Sequence, residues 1–300
     1  MAEQYLISSS DLTSVADAIR AKTGGTEQLS FPEGFKTAVA GITIGNATEP
    51  YIEEVYDENG DLIESKMHGY TKVRRGLFGY CPKLVSVSLP ETITEIGQTS
   101  FYDDEVLQNI SLPDGVTIIG NQAFHGCSEL ALTSLPTSLT TIEHHAFASC
   151  TKLALTSLPA GITSITTSCF LACRALALTE LPEGVTSIDA NAFESCAALK
   201  LTKLPEGLIT IGKAAFRNCQ NGITISEMPA SVTSIETDAF SNCYGLTTLT
   251  FKGTPTTIED YAFSACKNLT TINVPWEEGA VANAPWGATN ATINYNYTAI

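Results

Sequence analysis

Hydrophobic residues recur along this chain with a period far longer than that of one helix or one strand. Phenylalanine returns every 23 residues, with a single gap of 24, and cysteine follows three residues later in eight of the nine copies. A fixed period of roughly 20 to 50 residues is typical of repeat architectures. We therefore predict a repeat solenoid over residues 77–275, in which each unit buries its apolar flank against the next. The nine phenylalanines are Phe78, Phe101, Phe124, Phe147, Phe170, Phe193, Phe216, Phe240 and Phe263.

One repeat unit, residues 124–146, separates into three parts. Its Ala-Phe-x-x-Cys motif predicts a short turn of α-helix or 3₁₀-helix. The stretch that begins at Leu130 predicts a β-strand, which Pro136 ends because proline has no N–H for a continuing ladder. The stretch from Leu139 to Ile142 is rich in β-branched residues and predicts a second short strand.

The first strand has two sequence forms. Outer repeats read leucine-x-x-apolar, as at Leu84 and Leu269, whereas four central repeats read leucine-x-leucine. Moving an apolar residue by one position reverses its face on a flat strand. We therefore predict a bulge or bend in the central repeats, which begin at Leu130, Leu153, Leu176 and Leu199.

Three repeats depart from the pattern. Asp104 occupies the cysteine position of its repeat, and because a buried carboxylate is costly we expect this turn to open to solvent. The repeat at Phe216 gains one residue around Gly222, and the repeat at Phe240 replaces Leu-Pro with residues 251–255.

The segments outside the repeats differ in character. Residues 1–46 predict a small helical segment, which is too short to bury much by itself and so suits attachment or oligomerisation. Residues 47–76 predict a linker and a capping β-hairpin that turns at Asn59-Gly60. Residues 276–300 hold both tryptophans and predict a carboxy-terminal cap.

Charge limits the choice of partners. The net charge is −16, and no basic stripe exists, so nucleic acid is excluded and polyanionic surfaces should be repelled. No apolar run approaches the roughly 18 residues of a spanning helix, so membrane insertion is not predicted. The amino terminus shows no secretory signal, so the sequence fits an intracellular protein, a virion or other extracellular protein released by lysis, or a protein whose signal has been removed.

The positions of the cysteines indicate that they pack in the core and do not form disulfides or bind metal. Eight of the nine share one repeat position, where stacked side chains point the same way and have poor geometry for disulfides. No Cys-x-x-Cys pair exists for zinc, so we interpret them as reduced thiols in the core. Nucleophile, phosphate-loop and metalloprotease motifs are also missing. We predict no catalytic residue, no metal, no cofactor and no enzymatic activity.

A polar position precedes the last apolar residue of each first strand. If it is exposed, it forms a row of small polar side chains with a charged pair near the middle, which suits hydrogen bonding to a glycan or a flat protein epitope. The alternative is that these residues only keep the sheet soluble, as on any exposed strand. The row consists of Ser88, Ser111, Ser134, Ser157, Glu180, Lys203, Thr250 and Asn273.

The repeat motif resembles the BspA-like class of bacterial leucine-rich repeats over about two-thirds of the chain. This resemblance implies a curved solenoid with a strand ladder on its concave side. It also implies an adhesive protein of the bacterial surface.

The amino-terminal residues resemble a different group of proteins. The segment Ser10–Arg20, followed by Leu29–Phe35, is similar to the leader of tail or minor structural proteins of phages that infect Gram-positive bacteria. Together the two resemblances imply a phage tail or receptor-binding protein that recognises a bacterial surface glycan or protein. It would contact other virion tail proteins, or further copies of itself, through residues 1–46. The alternative is a bacterial cell-surface adhesin or protein-interaction scaffold.

Overall fold

A computed structural model describes residues 50–220 and 222–298 of the protein. The predicted helical segment of residues 1–46 lies outside the described residues. Within them, the regular structure consists of short β-strands joined by turns, and no helix is present.

The strands fall into two columns that run along the solenoid, preceded by one hairpin strand, β1 (Tyr51–Tyr56). The first-strand column contains β2 (Leu62–His68), β4 (Ser86–Ser88), β6 (Asn109–Ile110), β12 (Glu227–Met228), β14 (Thr248–Phe251), β16 (Thr271–Asn273) and β17 (Thr292–Asn294). The second-strand column contains β3 (Lys72–Val73), β5 (Glu95–Ile96), β7 (Ile118–Ile119), β8 (Thr141–Ile142), β9 (Ser164–Ile165), β10 (Ser187–Ile188), β11 (Thr210–Ile211), β13 (Ser234–Ile235) and β15 (Thr257–Ile258).

An antiparallel hairpin precedes the first repeat. Strand β1 pairs with β2, and the Asp57 carboxylate fixes the turn by accepting the N–H groups of Asn59 and Asp61, each at 2.9 Å. Strand β2 then pairs in parallel with β4, so the hairpin covers the amino-terminal edge of the repeats.

Successive repeats stack as rungs, and each rung is named here by the residue that begins its first strand. The described pairings beyond the hairpin are parallel and join equivalent residues of adjacent rungs, as Ser187 with Ser164. The first-strand column forms one sheet, β1-β2-β4-β6, and a second, β12-β14-β16-β17. The second-strand column forms β3-β5-β7-β8 and β9-β10-β11-β13-β15.

The gap between β6 and β12 corresponds to the four central rungs. Three of their four displaced leucines do not turn outward, because Leu155, Leu178 and Leu201 are fully buried, whereas Leu132 is half-buried. In the last three of these rungs the backbone bends instead and keeps a single first-strand hydrogen bond to the preceding rung, such as that from Ala154 N–H to the Leu132 carbonyl at 3.0 Å. The bend that the shifted leucine predicts in these strands is therefore present.

The Ala-Phe-x-x-Cys segments form linked turns and not a continuous helix. The Cys127 N–H donates to the Phe124 carbonyl at 3.1 Å within one rung, while the Phe124 N–H donates to the Ala146 carbonyl of the next rung at 2.8 Å. The residues two before and two after each phenylalanine have positive φ, as at Gln122 (55°) and Gly126 (78°). These left-handed residues interrupt each helical turn and direct alternate N–H groups toward the next rung.

The phenylalanines form one continuous stack through the core. Each ring is at most 1% exposed. Neighbouring ring centroids lie 5.0–5.8 Å apart with interplanar angles of 1–19°. Nearly parallel rings at this separation are offset from one another, which is a favoured geometry for aromatic pairs. The aromatic period of the sequence thus produces the main packing contact between rungs.

Asp104 is the one described position where a carboxyl replaces a ladder thiol. The expectation that its turn opens to solvent is wrong, because the Asp104 side chain is fully buried. Its Oδ1 accepts the Cys81 N–H at 2.8 Å, and its Oδ2 has no partner among the described residues. Burial raises the pKa of Asp104 to about 8, so the carboxyl is protonated at neutral pH. Protonation removes the charge that would otherwise exclude it from the core.

The carboxy-terminal cap closes the last rung with backbone and aromatic contacts. The Trp286 carbonyl accepts the Phe263 N–H at 2.9 Å, and its indole N–H donates to the Ala282 carbonyl at 2.7 Å. Trp276 packs edge-on against Phe251, with ring centroids 5.3 Å apart. The phenylalanine that replaces leucine in the Phe240 repeat therefore contacts the cap.

Candidate binding face

The polar row predicted from the sequence follows the first-strand column. Ser88 pairs with Lys66 of the hairpin, and Asn273 pairs with both Thr250 and Asn294. The structure thus extends the row to Lys66 and Asn294 at its two ends. We call the surface formed by this column the first-strand face.

Glu227 also belongs to the row, and the sequence prediction omitted it. It pairs with Thr250 and is exposed. The extra residue near Gly222 shifts the count in this repeat, but the position directly before Met228-Pro229 identifies Glu227 as the equivalent of the other row residues.

Exposure divides the row into two parts. The six members from Ser88 to Lys203 are exposed, whereas Thr250 is half-buried and Asn273 is buried at 6% exposure. Asn273 donates from its amide to the Thr250 hydroxyl at 3.1 Å and accepts from the Asn294 amide at 2.8 Å. The inclusion of Asn273 among exposed binding residues is therefore wrong, because its amide is used in a ladder that joins the last rungs.

The charged part of the row is linked by ion pairs. Lys203 Nζ lies 3.5 Å from Glu180 and 3.1 Å from Glu183. Two residues after Thr250 of the row, Lys252 Nζ lies 3.3 Å from Glu206 and 2.8 Å from Glu227. Hydrogen bonding to Glu183 raises the pKa of Lys203. Exposed pairs of this kind contribute little to stability, so these side chains could exchange partners with a ligand.

A cleft of about 580 Å³ opens on the first-strand face between the Leu107 and Leu130 rungs. Two predicted row residues, Ser111 and Ser134, line it together with Asn109 and Thr133. Its walls are mainly polar, and Leu132 contributes an apolar part of its lining.

The cleft lies where the first-strand ladder is interrupted. No backbone hydrogen bond joins residues 108–112 to residues 130–136, although both stretches belong to the described chain. The sequence form changes at this step, since the Leu107 rung has the outer pattern and the Leu130 rung has the central one. The cleft is thus a direct result of placing two strand forms side by side.

A second cleft, of about 430 Å³, adjoins the first. It extends from Glu53 in the hairpin to Asn109, which lines both clefts, and includes Lys66 and Ser88 of the row. Three predicted row residues therefore line the two clefts: Ser88, Ser111 and Ser134. The structure places Ser157, Glu180, Lys203, Thr250 and Asn273 outside them.

In the described part of the chain, no group of three His, Cys, Asp or Glu side chains is arranged to hold a metal ion. Over the same residues, no helix has the length and apolar character needed to cross a bilayer.

Comparison with known proteins identifies the architecture. A family model described as the BspA type leucine-rich repeat region matches residues 71–200 and 174–279. The chain therefore belongs to the BspA-type leucine-rich repeat family, as its repeat motif indicated. No curated protein matches the chain.

Solved structures of leucine-rich repeat proteins are similar to this chain at low sequence identity. A leucine-rich repeat protein from Bacteroides ovatus is 20% identical over 82% of this chain and 75% of its own, with a TM-score of 0.52. A leucine-rich cell surface protein from Faecalibacterium prausnitzii is 22% identical over 83% and 95% of the two chains, with a TM-score of 0.42. A leucine-rich repeat protein from T. pallidum is 25% identical over 73% and 88%, with a TM-score of 0.44.

Proposed function

We propose that this chain is a non-enzymatic binding protein that recognises a bacterial surface glycan or protein through its first-strand face. The observation that carries the proposal is the exposed polar row from Ser88 to Lys203, which continues into two adjoining clefts at its amino-terminal end. A long, shallow, polar surface suits an extended ligand that makes many weak contacts, as is common for solenoids.

Charge supports a partner that is neutral or carries basic groups. The chain has a net charge of −16, and like-charged surfaces would slow its association. We expect binding to anionic wall polymers to be weak at low salt for the same reason.

Binding of the purified 300-residue chain to Gram-positive cells tests the proposal. A double variant, Glu180→Ala with Lys203→Ala, removes the charged centre of the face and should weaken cell binding. Thr163→Ala is a matched control, because this exposed residue lies beside the second-strand column. If the double variant bound cells as well as the native chain did, the central part of the face would not be the site.

A finer version of the proposal concerns the particle that carries the protein. The resemblance of residues 10–20 and 29–35 to leaders of phage tail proteins supports a virion tail protein whose first 46 residues attach it to other tail proteins or to further copies of itself. In that case the protein is located in the virion, and in the alternative it is an adhesin or scaffold at the bacterial cell surface. Deletion of residues 1–46 should prevent incorporation into particles, and normal incorporation would contradict the virion assignment.

A further inference from the structure

We propose that the cleft between the Leu107 and Leu130 rungs is a binding subsite for a short stretch of an uncharged saccharide. This inference rests on the proposed function, and it names the ligand class and the part of the face that takes it. It follows from the missing backbone hydrogen bonds between these two rungs, from the residues that line the cleft and from the charge of those residues.

The open ladder leaves backbone donors in the cleft wall. Ala131 occupies the position in its rung that Ala154 occupies in the next, and the Ala154 N–H bonds to the preceding rung at 3.0 Å. The Ala131 N–H therefore lacks the partner that its equivalents have, and the Thr133 N–H also has no protein partner among the described residues, as is true of Thr156 and Thr179 in the next rungs. Backbone donors of fixed direction are well suited to bind hydroxyl oxygens, since little side-chain freedom is lost.

The side chains around these donors supply complementary groups. Ser111, Ser134 and Thr133 offer hydroxyls, and Asn109 offers an amide that both donates and accepts. All four side chains are exposed, so a ligand can reach them. Half-buried Leu132 adds an apolar surface against which the C–H face of a sugar ring can pack.

Charge and geometry disfavour other ligand classes. Asp114 is the one charged residue among those lining the cleft, so an anionic ligand would find no cation there. A peptide strand is disfavoured because the sheet edge that borders the cleft, β6, is only two residues long (Asn109–Ile110), which is too short for strand addition. The cleft volume lies within the range of about 300–1,000 Å³ usual for small-molecule sites.

The test uses the full chain and an array of neutral wall polysaccharides purified from Gram-positive bacteria. We expect the native chain to bind at least one of them. Ser111→Ala and Ser134→Ala should each weaken that binding about 5-fold, which corresponds to the loss of one hydrogen bond. Thr133→Trp should abolish it by filling the cleft.

Thr202→Trp is the matched control. Thr202 is exposed and has the same position in the Leu199 rung that Thr133 has in the Leu130 rung, three rungs away. This variant should bind polysaccharide like the native chain. Equal losses in the two tryptophan variants, or unchanged binding by Thr133→Trp, would overturn the subsite.

A further outcome separates this inference from the proposed function. If the native chain bound whole cells but none of the purified polysaccharides, the saccharide subsite would be refuted while the binding role stood. If it bound neither cells nor polysaccharides, both would fail.

Discussion

The thiol of Cys127 donates a hydrogen bond to the carbonyl oxygen of Phe101 in the preceding rung, with sulfur and oxygen 2.9 Å apart. The same bond recurs in the next rungs, with Cys150 bonding to Phe124 at 2.9 Å and Cys173 to Phe147 at 3.0 Å. Burial raises the pKa of these thiols well above the usual value, so they stay protonated and continue to donate. The Phe-x-x-Cys motif therefore joins rungs by hydrogen bonding as well as by ring stacking.

Removing one ladder thiol should destabilise the solenoid by more than the lost volume. Cys173→Ala leaves the Phe147 carbonyl without its donor, so we expect a loss of about 2–3 kcal/mol in the free energy of unfolding. Cys169→Ala is the control, because Cys169 is about equally buried and its thiol bonds to the Thr166 side chain of its own rung and not to a carbonyl of the preceding rung. Chemical denaturation of both variants measures the difference, and equal losses would show that the thiol bond contributes nothing.

The reactivity of the thiols should show that the cysteine ladder is buried. Eight of the nine cysteines are buried, and only Cys81 is half-exposed. Burial raises the pKa of Cys81 to about 11, so it should react slowly at neutral pH. A thiol-specific chromogenic reagent should therefore modify one cysteine in the native protein and all nine in denaturant. Rapid modification of several thiols without unfolding would contradict the buried ladder.

Asp104 should make stability depend on pH. Its pKa rises from 3.8 in the unfolded chain to about 8 in the folded protein. The folded state therefore holds a proton that the unfolded state releases between these values, and stability falls as pH rises through this window. The slope is at most about 1.4 kcal/mol per pH unit.

Substitutions of Asp104 distinguish the effect of its titration on stability from the effect of its packing in the core. Asp104→Cys restores the residue of the other repeats and should flatten the fall in the free energy of unfolding between pH 4 and pH 8. Asp104→Asn should flatten it as well, since an amide does not titrate in this range. Urea denaturation at several pH values measures the slope, and an unchanged slope in both variants would assign it to other groups.

The loss in the free energy of unfolding on replacing a phenylalanine by alanine should depend on the position of that phenylalanine in the stack. Phe147 stacks on rings to both sides, at 5.4 and 5.8 Å, whereas Phe78 stacks on Phe101 alone among the described residues. We expect Phe147→Ala to cost about 3–5 kcal/mol and Phe78→Ala to cost less, because nearest-neighbour contacts dominate in a solenoid. Hydrogen exchange should show the opened rungs. An equal cost at both positions would argue against additive coupling between neighbours.

A β-branched side chain at one of the turn positions with left-handed backbone should lower the stability of the protein. Ala172 has a φ of 59°, a conformation that a β-branched residue adopts only with strain. Ala172→Val should therefore cost at least about 1–2 kcal/mol in thermal or chemical unfolding. The control is Ala160→Val at an exposed alanine outside the left-handed positions, which should change stability by less than about 0.5 kcal/mol.

The period of the sequence was enough to predict the repeat fold, because apolar residues at a fixed spacing of 23 can be buried only by stacking. The bend of the central rungs also followed from one displaced leucine. The cleft did not, because it requires knowing which backbone bonds disappear when the Leu107 and Leu130 rungs meet. The predicted polar row included two residues that line the cleft, Ser111 and Ser134. It did not include the backbone N–H groups of Ala131 and Thr133.

Two local features could not be predicted for physical reasons. The protonation of Asp104 depends on how completely its turn is covered, and the motif alone carries no measure of burial. The linked turns depend on left-handed residues, and side chains as different as Tyr80, Ser149 and Ala172 all adopt that conformation here. Bonds between rungs impose it at positions where local preference does not.

The hydrogen bonds donated by the phenylalanine N–H groups all run in one direction along the solenoid, from each rung to the rung that follows it. The Phe101 N–H donates to Ala123, the Phe124 N–H to Ala146, and the last in the series, Phe263, donates to Trp286 of the cap. The N–H groups of the second-strand column donate the opposite way, as from Gly97 to Val73 and from Glu143 to Ile119 of the preceding rung, so each rung both gives and receives bonds on each side. Whole rungs can be gained or lost from the middle of the array without altering either cap, and such a change in copy number would lengthen or shorten the binding face while leaving both ends intact.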